Sequence, residues 1–211
     1  MTPLSLGVLV SGTGTNLQAI IDAIARRELH ATIELVVSNR PNAFALEKAA
    51  KAGIPTRVIA HREYGTREAF DEALVQSLTA ARVGWVVLAG FMRVLTPRFI
   101  SAFPHRIVNI HPALLPAFPG VDAQKQALEY GVKIAGCTVH LVDEGTDTGP
   151  IIAQRAVPLL DSDDEASVRA RILAQEHAVL VESLQAIAEG RIDIVPGSDG
   201  QRTRVRTRPR A

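Results

Sequence analysis

Two polar side chains close an otherwise apolar run. In Arg106-Ile107-Val108-Asn109-Ile110-His111-Pro112, an amide and an imidazole stand two residues apart. Side chains at i and i+2 share one face of an extended strand, so Asn109 and His111 point together while Ile110 takes the opposite, buried side. Pro112 disfavours the α region for the residue before it, which keeps His111 extended to the strand end. An amide donor beside an imidazole at the carboxyl end of a buried strand suits acyl transfer. The amide can donate to a developing oxyanion, and the imidazole can take or give a proton. The plain alternative is a strand end whose two polar residues face water.

A carboxylate to partner the imidazole is available in Asp143-Glu144-Gly145-Thr146-Asp147-Thr148-Gly149, which connects two predicted strands. Gly145 and Gly149 leave this connection free to fold back. If Asp147 meets the end of the Asn109–His111 strand, its charge should raise the pKa of His111 and fix the ring's orientation. His140 alternates with Thr138 on one strand face and is either a second candidate or a packed polar residue. His177 reads as a structural residue of a long helix, and His30, His61 and His105 as surface or loop residues. No pair has the spacing of zinc ligands, and with Cys137 as the only cysteine no metal site is expected.

A second chemical feature is Ser11-Gly12-Thr13-Gly14-Thr15-Asn16, between the first strand and the first helix. The glycines allow a tight turn and close approach to a ligand, and a helix N-terminus offers N–H groups to an anion. Leu17 stands where a dinucleotide fingerprint has its third glycine, and the second strand ends in Ser38-Asn39-Arg40 without a ribose-binding acid. No lysine follows the second glycine as in a nucleoside-triphosphate loop. The turn therefore suits a phosphomonoester.

The elements that must position these residues follow from hydrophobic periodicity. Strands are predicted at 4–10, 33–37, 56–59, 83–88 and the run ending at His111, with helices at 16–27, 43–52 and 67–81. Near-continuous Val, Leu and Ile strands separated by helices indicate an α/β fold with a doubly wound, mostly parallel sheet. After Pro112 the prolines of 112–119 impose an ordered loop. A helix at 123–130, strands at 134–142 and 150–157, and a long helix at 164–189 follow, with Ser162 as the expected cap.

At 211 residues the chain fits one large α/β domain. Its net charge is +1, yet the last eleven residues carry five arginines and no acid, which leaves −4 on the rest. Such a body does not suggest a nucleic-acid surface. The basic segment from Gly197 onward is expected to be disordered, either a solvated tail or a polyanion contact. One cysteine, no signal peptide and no apolar stretch of membrane-spanning length suggest a soluble, cytoplasmic protein.

Five blocks in order carry a family resemblance: Ser11-Gly12-Thr13-Gly14-Thr15-Asn16-Leu17-Gln18-Ala19-Ile20, Leu88-Ala89-Gly90-Phe91-Met92-Arg93-Val94-Leu95, Asn109-Ile110-His111-Pro112 with Leu114-Leu115-Pro116, Asp147-Thr148-Gly149-Pro150-Ile151, and Gln175-Glu176-His177. Together they resemble the phosphoribosylglycinamide formyltransferases, the folate-dependent glycinamide ribonucleotide transformylases of purine synthesis. The resemblance spans residues 4–195 and implies the formyltransferase fold, with a Rossmann-like N-terminal half. A single domain over 1–196 is implied, its half 1–112 binding phosphate and its half 113–196 carrying the folate-binding and catalytic loop.

The resemblance implies formyl transfer from 10-formyltetrahydrofolate, a co-substrate, to the amine of glycinamide ribonucleotide, without a metal. It assigns Asn109, His111 and Asp147 to catalysis, and Gly14, Thr15, Asn16, Leu17 and Gln18 to the substrate phosphate. Glu176 would meet the substrate's amine end. Arg67, Met92, Arg93, Val94, Leu95, Asp143, Glu144, Gly145 and Thr146 would hold the folate. Ala113 stands where many members have serine, and the arginine-rich segment has no assigned counterpart. No membrane or specific nucleic-acid partner is expected, and a homodimer is left open. The alternative is a formyltetrahydrofolate deformylase, which uses the same Asn, His and Asp. It would carry an additional N-terminal domain and would not need the glycine turn.

Overall fold

The computed structural model describes residues 2–198 and 201–210. They form two compact units, Met1–Asn109 and Ile110–Ala211, divided inside a strand.

In the first unit, strands and helices alternate: β1 (Leu4–Val10), α1 (Thr15–Ala25), β2 (Ala31–Ser38), α2 (Phe44–Lys51), β3 (Thr56–Val58), α3 (Arg67–Ala80), β4 (Trp85–Leu88), α4 (Pro97–Ala102) and β5 (Ile107–His111). A short 3-10 turn at His61–Glu63 precedes α3. The strands pair in parallel in the order β3-β2-β1-β4-β5. Parallel strands need cover on both faces, which explains their apolar composition; Leu6, Val8, Val36, Val86 and Val87 are fully buried. Each such side chain contributes about 1.5–3 kcal/mol by leaving water. The chain winds outward from β1 to β3, then crosses back to place β4 on the other side of β1. Right-handed crossovers therefore put α1 and α2 on one face and α3 and α4 on the other. The reversal of direction between β1 and β4 creates the crevice where such sheets bind ligands, beyond the carboxyl ends of the strands.

Two local outcomes differ from the periodicity. α1 stops at Ala25 rather than Arg27, because Arg27 turns into the left-handed region at φ 59. α4 is additional. Thr96 and Pro97 supply its N-cap and first-turn proline, a signal too short for a periodicity window.

In the second unit, α5 (Ala123–Tyr130) precedes β6 (Ile134–Leu141) and β7 (Ile151–Pro158), which pair antiparallel. α6 (Glu165–Ala188) packs on both strands and buries Val168, Ile172, Val179, Leu180 and Leu184. Its cap is Asp164, not Ser162: the Asp164 carboxylate accepts from Ser167 N–H at 2.8 Å, and Ser167 returns the bond in a capping box. The basic segment also departs from expectation. Residues Arg204–Thr207 form β9, paired antiparallel with β8 (Ile192–Val195). Arg208 pairs with Asp193 at 3.2 Å and Arg210 with Glu189 at 3.2 Å, so acids of the preceding turn and strand meet the arginines. Within the span 197–211, positions 199, 200 and 211 lie outside the described residues. Among the described residues, no helix is long and apolar enough to cross a membrane.

Candidate active site

The glycine turn leaves β1 at the point where strand order reverses. Gly14 caps α1 at φ 70, and a Cβ there would lie 2.6 Å from the Cβ of Ala45, so both conformation and space require glycine. Behind it the helix N-terminus presents first-turn N–H groups that lack internal acceptors. The five expected phosphate residues are not equivalent. Leu17 is fully buried, so its side chain belongs to the core. The Gln18 N–H donates to Gly14 O at 3.0 Å and its side-chain amide donates one hydrogen to Asp22 at 2.8 Å, which leaves one side-chain N–H uncommitted by these two bonds. Lys48, which the sequence did not flag, donates from α2 to Gly14 O at 3.4 Å and brings a cation to the turn.

The second expected ligand segment leaves β4 on the other side of the same crevice. Ser11 N–H donates to Gly90 O at 3.1 Å, joining the two segments at their roots. Met92 and Val94 are 64% and 57% exposed, open to a ligand, and Arg93 is half-buried. Leu95 is buried and can line a pocket only through its backbone. Arg67, expected at the folate, donates to Val94 O at 2.8 Å and so holds this segment itself. Asn109, half-buried, ends the unit at the carboxyl end of β5, opposite Leu88.

In the second unit the structure brings His111 and Asp147 together. His111 Nδ1 lies 3.3 Å from Asp147 Oδ2, and its Nε2 donates to Phe118 O at 2.8 Å. The same carboxylate oxygen accepts from Gly120 N–H at 2.8 Å, while Oδ1 faces His140 Nε2 at 3.6 Å. His140 Nδ1 is bonded to Leu141 O at 2.9 Å. Asp147 thus serves two buried imidazoles, and His140 is a member of the cluster rather than a packed bystander. Its alternation with Thr138 was the only signal.

The electrostatics reverse one expectation. The pKa of His111 lies below the ordinary 6.5, because burial outweighs the Phe118 carbonyl and the Asp147 charge, with His140 adding to the depression. For Asp147, burial works upward, but the bond to His140, the Gly120 N–H and the two imidazoles hold the carboxyl below its usual range. The consequence is a carboxylate beside an imidazole that holds a proton weakly, a suitable acid once charged.

Backbone geometry gathers these groups. Phe118 at φ 53 and Asp147 at φ 55 both sit in the left-handed region, an uncommon place for a phenylalanine, and both contact His111. A Cβ on Gly149 would lie 1.8 Å from Leu141 O, so the connection closes on β6 only with glycine there. Asp143 accepts from Gly145 N–H at 3.1 Å and Thr148 Oγ1 at 2.6 Å, which shapes the loop from within. Glu144, Gly145 and Thr146 are exposed on that loop. Glu176 is buried on α6. The neighbouring Cys137 thiol is pushed up to about 12, by burial first and by the Glu176 charge second. Among the described residues, no group of three or more His, Cys, Asp or Glu is arranged to hold a metal ion.

Residues 5–184 match the formyl transferase family. The chain is 42% identical over 202 residues to the phosphoribosylglycinamide formyltransferase of Escherichia coli, covering 94% of this chain and 95% of that protein. It is 50% identical over 198 residues to the trifunctional purine biosynthetic protein adenosine-3 of Drosophila melanogaster, covering 93% of this chain but 15% of that protein. It thus spans about a seventh of that longer relative's length. The crystal structure of glycinamide ribonucleotide transformylase 1 from Symbiobacterium toebii superposes with a TM-score of 0.93 at 48% identity, covering 98% of this chain and 94% of that one. That fold is the doubly wound, mostly parallel α/β arrangement expected from the strand pattern. By sequence and by fold, this chain belongs to the phosphoribosylglycinamide formyltransferases, within the formyl transferase family.

Proposed function

We propose that this chain transfers the formyl group of 10-formyltetrahydrofolate to the amine of glycinamide ribonucleotide, a step toward IMP. The observation that carries the reading is the His111–Asp147 contact at 3.3 Å, two residues beyond the Asn109 amide on the same strand. The neutral amine attacks the formyl carbon and a tetrahedral oxyanion forms. Asn109 donates to that oxygen. Protonated His111, opposite the Asp147 charge, stabilises it and then supplies a proton to the departing folate nitrogen as the carbon–nitrogen bond breaks. The attacking amine loses its own proton through Asp147 or a water held there. For Nε2 to act, it must exchange the Phe118 carbonyl for the reacting group.

The remaining residues take supporting roles. Gly14, Thr15 and the first-turn N–H groups hold the ribose phosphate, with Lys48 adding charge. Met92 to Leu95 and the loop Asp143 to Thr146 receive the pterin, and Glu176 meets the glycinamide end. A cytoplasmic location fits the one buried thiol.

The test incubates the protein with 10-formyltetrahydrofolate, with and without glycinamide ribonucleotide. Turnover that requires the amine supports transfer, whereas formate release regardless of the amine identifies a deformylase. Asn109→Ala should lower kcat about 10²–10³-fold in a folded protein, the usual cost of one oxyanion donor. Near wild-type turnover removes Asn109 from the mechanism.

A further inference from the structure

Residues 89–96 form no helix or strand, yet three side chains hold three of their backbone atoms at alternate positions. Ser11 Oγ accepts from Met92 N–H at 2.8 Å, the Arg67 guanidinium donates to Val94 O at 2.8 Å, and Asp71 Oδ2 accepts from Thr96 N–H at 2.6 Å. Ser11 Oγ donates in turn to Asn39 Oδ1 at 2.7 Å, so its hydroxyl is oriented and cannot swing away. Arg67 and Asp71 lie one turn apart on α3 and share a face. Ser11 and Asp71 are 3% and 1% exposed, while Met92 and Val94 stand open to solvent. An anchored backbone thus displays exposed apolar side chains.

We propose that Ser11, Arg67 and Asp71 are positioning residues that preset the Met92–Thr96 segment for the reduced folate; this rests on the reading that Met92 to Leu95 line the pterin pocket. A ligand binds best to a surface whose ordering cost was met during folding. Three bonds to alternate residues help order a segment that has no ladder of its own. Burial pushes the Asp71 carboxyl above its usual range, opposed by the Thr96 N–H and the Arg67 charge. The Asp71 bond fixes Thr96, the N-cap of α4, and so ends the displayed segment at a set point. Ser11 and Asp71 act on folate affinity through the backbone of this segment.

The test compares Asp71→Ala, Asp71→Asn and Ser11→Ala in the full chain. In Asp71→Ala the KM for 10-formyltetrahydrofolate should rise about tenfold, with kcat within about twofold, the effect of a lost bond to a charged group. The Thr96 amide should exchange faster by NMR. Asn, whose side-chain carbonyl still accepts, should restore most of both. Ser11→Ala should raise the same KM and expose the Met92 amide, which keeps the idea testable if Asp71→Ala fails to fold. Folded variants with faster amide exchange but an unchanged folate KM overturn the proposal. Titrating tetrahydrofolate into the unmodified protein separates the two readings. Amide shifts across Met92–Leu95 support the pocket. Their absence removes the pocket itself, and with it the purpose assigned to the three anchors.

Discussion

Thr138→Val isolates the hydroxyl that ties the loop after β5 to β6. Thr138 is fully buried and uses its whole bonding capacity: it donates to Ala113 O at 2.6 Å and accepts from Leu115 N–H at 3.0 Å and Gln154 Nε2 at 2.9 Å. That loop runs on to Phe118, whose carbonyl meets His111. Valine replaces the hydroxyl by a methyl of similar size and opens no cavity. Gln154 keeps Leu115 O at 2.9 Å, so two buried groups, Ala113 O and Leu115 N–H, lose this partner. At about 1–3 kcal/mol for each unpaired group, the loss is about 2–6 kcal/mol. Local relaxation favours the lower half of that range, out of a typical total stability of about 5–15 kcal/mol. For a chain of this size Tm should fall about 2–4 °C per kcal/mol. Thr138→Ser keeps the hydroxyl, loses one methyl and should cost only about 1 kcal/mol. Urea unfolding of the three proteins measures both values, and turnover of the folded variants reports whether His111 is still held. A valine variant within about 0.5 kcal/mol of wild type, with serine weaker, refutes the assignment of the hydroxyl as the anchor.

Three further outcomes follow. Gly149→Ala drives a Cβ to 1.8 Å from Leu141 O, so the Asp147 connection must shift. Turnover should fall at least about 10²-fold, the scale of a misplaced acid–base partner, while circular dichroism stays native; full activity would mean the loop closes another way. Because the folded pKa of His111 lies below 6.5, its neutral state contributes stability above pH 6.5 that is lost as pH falls through the folded value. Asp147, held below 3.8, acts in the same direction at more acid pH. Urea midpoints should therefore drop from pH 7 toward pH 5, and His111→Gln should flatten that slope; a rise on acidification would contradict the burial argument. Lys48→Met removes the cation beside Gly14 and should raise the KM for the phosphorylated amine several-fold without altering the folate KM. An equal effect on both substrates would deny Lys48 a phosphate role.

Periods of two and 3.6 residues are local, so the alternation of strand and helix, the parallel first half and the shared face of Asn109 and His111 could be read along the chain. Glycine requirements were equally local in type, and Gly14 and Gly149 stand where a turn had to close. What the linear pattern could not weigh was desolvation. Leu17 and Leu95 belong to motifs expected to touch ligand, yet their side chains lie in the core. Arg208 and Arg210 belong to a run without acids, and only the fold brought Asp193 and Glu189 beside them.

Residue types and spacing by themselves determined the α/β class, and they raised the expectation of acyl-transfer chemistry at β5 and of an anion-binding turn after β1. Tertiary structure alone decided that Asp147 shares its charge with a second imidazole, that Lys48 reaches the turn, and that burial lowers rather than raises the pKa of His111. The reason is physical. A side chain's type is a property of one position, whereas its charge state depends on water excluded by residues far away along the chain.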